Sequence, residues 1–182
     1  ACSSIAHAGY LLIGMVAGNE LGRSSMLFYL LAYTFMQTGA FAVVIMLGQK
    51  GEARLNVTDY VGVGYRYPLL GVAMAIFMFS LGGIPPTAGF VGKFYVFSAA
   101  IKAGYVWLVV LAVINSGISL YYYLRVTVVM YMHEEEGEVL PMSRAPAVAL
   151  AIVLTSIATI GLGIFPSWIL EPVQKTVDLI LG

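Results

Sequence analysis

From Pro68 to Ala103 the chain runs for about 36 residues with only two charges, Lys93 and Lys102. The hydrocarbon core of a bilayer takes roughly 20 residues of helix. The run is therefore too apolar for a water-facing surface and too long for one straight span. It is interrupted by Gly82-Gly83-Ile84-Pro85-Pro86-Thr87-Ala88-Gly89. Proline removes a backbone donor and leaves a carbonyl without its helical partner. Irregular backbone at membrane depth is tolerated only inside protein or beside a watery cavity. A single proline would explain a kink. Two prolines among three glycines (Gly82, Gly83, Pro85, Pro86, Gly89), with a charge just beyond, predict a discontinuous helix carrying Lys93 in its second half.

Four other apolar runs flank this one: about 3–17, 24–47, 105–132 and 146–164. With 60% hydrophobic and 10% charged residues among 182, the chain falls far below the roughly 25% charge of a soluble domain. The expected fold is an all-α integral membrane protein. It has about five transmembrane helices, one of them broken by Gly and Pro, in a single membrane domain over residues 1–182. Beyond Pro172, Val173, Val177, Ile180 and Leu181 alternate with Gln174, Lys175 and Asp178. That pattern predicts a short helix lying on the membrane surface, with Pro166 and Trp168 as interfacial anchors. The chain starts at Ala1, already in an apolar pattern and without Met or a visible signal peptide, and reads as a piece of a longer protein.

Net charge is zero, which gives no footprint for nucleic acid. One cysteine, Cys2, allows neither an intrachain disulfide nor a cysteine metal cluster. No metal-ligand spacing, nucleophile triad or phosphate loop is present. Basic residues set the orientation. Loops 49–67 and 132–146 and their edges hold Lys50, Arg54, Arg66, Arg125 and Arg144 against Arg23, Lys102 and Lys175 on the other side. The first side is the expected cytoplasmic one. His133 and the glutamates 134, 135, 136 and 138 read as a solvated loop.

Lys93 stands out chemically. An ionisable residue inside the membrane is costly and faces a bundle interior or a water-filled cavity, and desolvation makes an amine easier to deprotonate. Snorkelling suits Lys102 beside Gly104, but Lys93 lies nine residues deeper, about 13 Å along a helix. It is expected to face other helices, near His7 or the polar faces of the second and fourth spans. His7, inside the first run, is either a satisfied polar group or a proton relay. Tyr29, Tyr33 and Gln37 share one face of the second helix, and Asn115, Ser119 and Tyr122 share one of the fourth. Each stripe reads as interhelical packing glue or as the lining of a water path. Tyr121-Tyr122-Tyr123 reads as interfacial or packing.

The segments Ser3-Ser-Ile-Ala-His-Ala-Gly-Tyr-Leu-Leu-Ile-Gly14 and Leu81-Gly-Gly-Ile-Pro-Pro-Thr-Ala-Gly-Phe-Val-Gly-Lys-Phe-Tyr95 closely resemble the antiporter-like membrane subunits of respiratory complex I, the NADH:quinone oxidoreductase. Phe28-Tyr-Leu-Leu-Ala-Tyr33 and Tyr121-Tyr-Tyr-Leu-Arg125 resemble the N (or subunit 2) type among them. The resemblance runs essentially end to end. It implies the last five helices of a fourteen-helix subunit, most of its second inverted repeat. It implies that Lys93 carries protons in the broken helix and that His7 belongs to a central hydrophilic axis. The chain would then be a proton-translocating subunit that couples quinone reduction to pumping and performs no redox chemistry itself. It would bind no cofactor and no metal; FMN, iron–sulfur clusters, NADH and quinone would belong to other subunits. Its partners would be other membrane subunits of the complex, including neighbouring antiporter-like ones, and the lipid of a bacterial-type inner membrane. Two alternatives remain open: a subunit of a multisubunit cation/proton antiporter, and a membrane scaffold that moves no ions.

Overall fold

The computed structural model describes residues 2–48, 57–132 and 145–181, which are helical almost throughout and form no strand. Of the two polar linkers, residues 49–56 and 133–144 lie outside the described residues, so the readings of Lys50, Arg54, His133, the four glutamates and Arg144 rest on sequence alone.

The first helix, α1 (Cys2–Ala17), is 16 residues long, about 24 Å at 1.5 Å per residue. Asn19 starts α2 (Glu20–Leu47): its side-chain oxygen accepts from the Gly22 amide at 2.7 Å, and its side-chain amide donates to the Ala99 carbonyl at 2.9 Å. One residue thus caps a helix and ties the α1–α2 turn to a later element. At 28 residues, α2 is the axis of the bundle and packs against α1 and four later helices. Its buried stripe runs through Phe28, Ala32, Met36, Gly39, Val43 and Met46 at helical spacing. Gly39 is required there, because the Phe77 ring lies where any β-carbon would sit.

Residues 57–66, read as part of a polar loop, contain a 3-10 turn (Val57–Tyr60) and one turn of helix, α3 (Val63–Arg66). Tyr60 and Val63 are buried in the main core, which is what holds this segment against the bundle. The overlong apolar run becomes two helices of 15 residues, α4 (Pro68–Gly82) and α5 (Ala88–Lys102). Gly83 adopts φ +85°. Its amide bonds to the Ser80 carbonyl at 3.0 Å, and the Ile84 amide reaches back to Phe79 at 2.9 Å. This is a Schellman closure, which favours glycine at the left-handed position. Pro85 and Pro86, joined by a cis peptide, follow. The start of α5 packs closely against the end of α4, with the Gly89 amide on Ser80 Oγ at 3.1 Å and no room for a β-carbon beside the Ser80 carbonyl.

Helices α6 (Val106–Met132) and α7 (Pro146–Ile164) complete the spans. Three helices, α2, α6 and α7, are each long and apolar enough to cross a membrane, while α1 and α4 are shorter apolar helices. Thr155 and Thr159 are buried in α7, and each bonds to the carbonyl four residues back, at 2.7 Å. The last helix, α8 (Ser167–Leu181), packs on α2. It differs from the expected short segment after Pro172, because it starts at Ser167 and carries Pro172 inside it. The proline falls near the helix start and on an exposed position, where the carbonyl it leaves unpaired costs little.

Candidate functional site

The broken helix positions its lysine through the carbonyls it exposes. In an unbroken helix the Leu81 and Gly82 carbonyls would accept from residues 85 and 86. Both of those residues are prolines and have no N–H to give. Lys93, 5% exposed, takes both carbonyls: its Nζ donates to Leu81 at 3.0 Å and Gly82 at 3.2 Å. These carbonyls end α4, where the helix dipole also favours a cation. The third partner is Ser116 Oγ of α6, at 2.9 Å. A β-carbon at Gly83 would come within 3.1 Å of the amine, so this glycine serves both the turn and the lysine. The ring of Tyr10 from α1 lies 5.0 Å from Nζ.

A second cluster adjoins the first through Tyr10, which meets the His7 ring edge-on at 5.8 Å between centroids. His7 is almost fully buried. Its Nδ1 is hydrogen-bonded to the Tyr29 hydroxyl at 2.6 Å and its Nε2 to the Tyr123 hydroxyl at 3.0 Å. Tyr123 is bonded in turn to Ser3 Oγ. Tyr33 stacks on the imidazole at 4.7 Å. The result is a continuous chain, Tyr29–His7–Tyr123–Ser3, between α2, α1 and α6.

The two clusters can hold and pass protons in different ways. Backbone carbonyls only accept, whereas a hydroxyl both donates and accepts. Protonated Lys93 has three N–H groups for Leu81, Gly82 and Ser116. Neutral Lys93 keeps two for the carbonyls and turns its lone pair to the Ser116 hydroxyl. Both forms are therefore fully bonded. In neutral His7 one ring nitrogen donates and the other accepts. Since each tyrosine hydroxyl can serve either role, the chain can reverse its polarity.

Of the residues singled out by sequence, Lys93, His7, Tyr29 and Tyr33 converge here. Gln37 is half-buried and takes no part in these bonds. Ser119 is buried beside the site and donates to the Ser116 carbonyl at 2.7 Å. Asn115 is exposed and lines a groove between α1 and α6 together with Tyr10. The face of α6 turned to the site is 116, 119 and 123, not 115, 119 and 122. Ser116, Tyr10, Tyr123 and Ser3 were not singled out as site residues. Tyr123 departs from the interfacial reading of its triplet: Tyr121 is exposed and Tyr122 half-buried, but Tyr123 points inward to His7. The signal was present on α1, where Ser3, His7 and Tyr10 fall at the i, i+4, i+7 spacing of one helix face.

Helical membrane bundles with an ionisable residue buried at a broken helix recur among ion-handling membrane domains, and this chain has that architecture. Residues 1–119 match the family described as NADH:quinone oxidoreductase/Mrp antiporter, transmembrane, and the chain belongs to that family. Within it, the chain is 53% identical over 180 residues to NADH-quinone oxidoreductase subunit N of Trichlorobacter lovleyi, covering 99% of this chain and 37% of that protein. It is 47% identical over 178 residues to subunit N 1 of Solibacter usitatus, covering 97% and 36%. Among solved structures, a chain of respiratory complex I from Thermus thermophilus with bound aureothin superposes with a TM-score of 0.80 at 35% identity, over 93% of this chain and 38% of that one. A chain of the Mrp complex from a Dietzia species shares the fold, with a TM-score of 0.78 at 23% identity, over 94% and 40%. The chain thus spans a little over a third of the length of the relatives it matches.

Proposed function

We propose that this chain is the C-terminal part of a proton-translocating, subunit-N-type membrane subunit of NADH:quinone oxidoreductase, and that Lys93 is its proton-exchanging group. The observation that carries the reading is the set of partners around Lys93: two carbonyls freed by prolines and one hydroxyl, which serve the amine whether charged or neutral. The hydrogen-bonded chain through His7 supplies a neighbouring relay, with Tyr29 and Tyr123 as its members. Nicotinamide oxidation, flavin, iron–sulfur and quinone chemistry fall to other subunits of the enzyme, with which this membrane domain assembles. The chain would lie in a bacterial plasma membrane with the linkers 49–67 and 132–146 on the cytoplasmic side, following its basic residues. Identity of about half to proteins named subunit N favours this reading over a cation/proton antiporter subunit, for which the likeness is one of fold.

The test is Lys93→Met in the full-length subunit. Methionine keeps length and apolar packing, so the complex should assemble. NADH-driven proton uptake into membrane vesicles, normalised to assembled enzyme, should fall. Undiminished uptake per electron would make Lys93 a structural residue and favour the scaffold.

A further inference from the structure

Tyr10 touches both clusters, yet its hydroxyl belongs to neither. The ring lies 5.0 Å from Lys93 Nζ and meets His7 edge-on. It also meets the rings of Tyr29 and Phe97 edge-on, at 6.2 and 5.8 Å between centroids. These contacts hold the ring in place. The hydroxyl is buried and points at the Ser116 and Ser119 side chains of α6, but it completes no hydrogen bond among the described residues. A hydroxyl buried without a partner is destabilising, and phenylalanine would pack the same ring without that cost. Packing therefore does not account for a tyrosine here. Tyr10 also lines the groove between α1 and α6, about 690 Å³ in volume. The groove follows α6 from Leu108, two residues inside the helix, to Tyr122, about 21 Å at 1.5 Å per residue. One end thus lies at the membrane face where α6 begins. Most of the wall is aliphatic, but Asn115 is exposed in it, about 14 Å along α6. An amide facing hydrocarbon at that depth is costly without a hydrogen-bonding partner. Asn115 and Tyr10 thus call for one small partner that both donates and accepts, and water is that partner.

We propose that Tyr10 is the relay hydroxyl through which Lys93 exchanges its proton with water in the α1–α6 groove, with Asn115 holding that water. This rests on Lys93 as the proton-exchanging group. Lys93 Nζ donates to Ser116 Oγ at 2.9 Å, and the Ser116 hydroxyl has a proton of its own to give. On release, an N–H bond of Lys93 breaks as an O–H bond forms on Ser116. The former Ser116 proton passes to the Tyr10 oxygen, and the former Tyr10 proton passes to a groove water. Three bonds to hydrogen break and three form. Both hydroxyls are regenerated, and the net transfer is one proton from the amine to water. Uptake is the reverse. The Ser116–Tyr10 link is open in this structure, so the same pair separates the amine from the groove until the two hydroxyls come within hydrogen-bond distance.

The experiment uses the full-length subunit in the assembled enzyme, in inverted vesicles. Tyr10→Phe keeps the ring and removes only the hydroxyl. The rate of NADH-driven proton uptake, normalised to assembled enzyme, should fall about ten-fold, the effect of one hydrogen bond lost from a transfer step. A hydroxyl with a merely structural role and no partner predicts no loss. The water is read separately with a charged, water-soluble methanethiosulfonate, which reacts with the hydrated thiolate. Asn115→Cys should react at least about ten-fold faster than Val113→Cys, since Val113 is exposed on α6 outside the groove. Unaltered uptake by Tyr10→Phe, with Lys93→Met impaired, would overturn the relay and leave Lys93 as the proton-exchanging group. Normal uptake by Lys93→Met would instead remove the reading on which the relay rests. Equally slow reaction of the two thiols would mean that protein or lipid covers Asn115 and would overturn the water path.

Discussion

A lysine amine can alternate between charged and neutral forms inside a bilayer only if its partners suit both. The carbonyls of Leu81 and Gly82 suit both, because each form keeps at least two N–H groups; Ser116 is the partner that must change from acceptor to donor. Ser116→Ala should therefore impair proton exchange without disturbing assembly. It deprives the amine of a hydrogen bond in the class worth about 1.5–3 kcal/mol when one partner is charged, enough to slow NADH-driven proton uptake by roughly ten-fold or more. Ser116→Thr, which keeps the hydroxyl, should retain most of the rate. Equal rates in the serine and alanine proteins would remove Ser116 from the account. Lys93 was legible from sequence because a charge in a long apolar run has few bland explanations. Ser116 was not, because Asn115 is the more polar neighbour and drew the helix face toward itself. One residue rotates an α-helix by about 100°, so Asn115 and Tyr122 line the α1–α6 groove, while Ser116 and Tyr123 reach Lys93 and His7.

At the scale of the element, the break works because two consecutive prolines free two consecutive carbonyls. Replacing both Pro85 and Pro86 by Ala restores the missing N–H groups and lets α4 extend past Gly82. Lys93 would lose its acceptors to the backbone, and uptake per electron should fall nearly as far as in Lys93→Met. The check is that uptake, together with a structure of the assembled variant. Full activity with α4 lengthened by a turn would show that the free carbonyls are dispensable. The break could be read from Gly82–Gly89 because proline and glycine act locally, through a missing donor and a positive φ. The pairing of each proline with a carbonyl four residues back is also local and follows from helix geometry. The direction of the lysine toward those carbonyls depends on the start of α5 packing at Gly89 against Ser80. That is a tertiary fact with no periodic signature. The same limit applies to 57–66, where Asp59, Arg66 and two glycines in a short segment concealed Tyr60 and Val63 as core residues, and to α8, where Pro172 reads as a start and is an interior position.

At the scale of the whole molecule, the bundle places the Lys93 and His7 clusters between α1, α2, α5 and α6. The predicted sidedness can be read directly with a membrane-impermeant maleimide. Ser143→Cys should be labelled only in inverted vesicles, and Lys102→Cys, on the exposed end of α5, only in right-side-out spheroplasts; the reverse pattern would invert the topology. The central claim, that Lys93 releases its proton and is more than a fixed charge, is tested most directly by Lys93→Arg. A guanidinium keeps the charge and the hydrogen bonds but does not deprotonate in proteins. The decisive quantity is the number of protons taken up per electron in vesicles, normalised to assembled enzyme and compared with Lys93→Met. The account predicts that both variants fall well below the unaltered enzyme. Normal pumping by Lys93→Arg would contradict it, because a permanent positive charge at the break would then be sufficient.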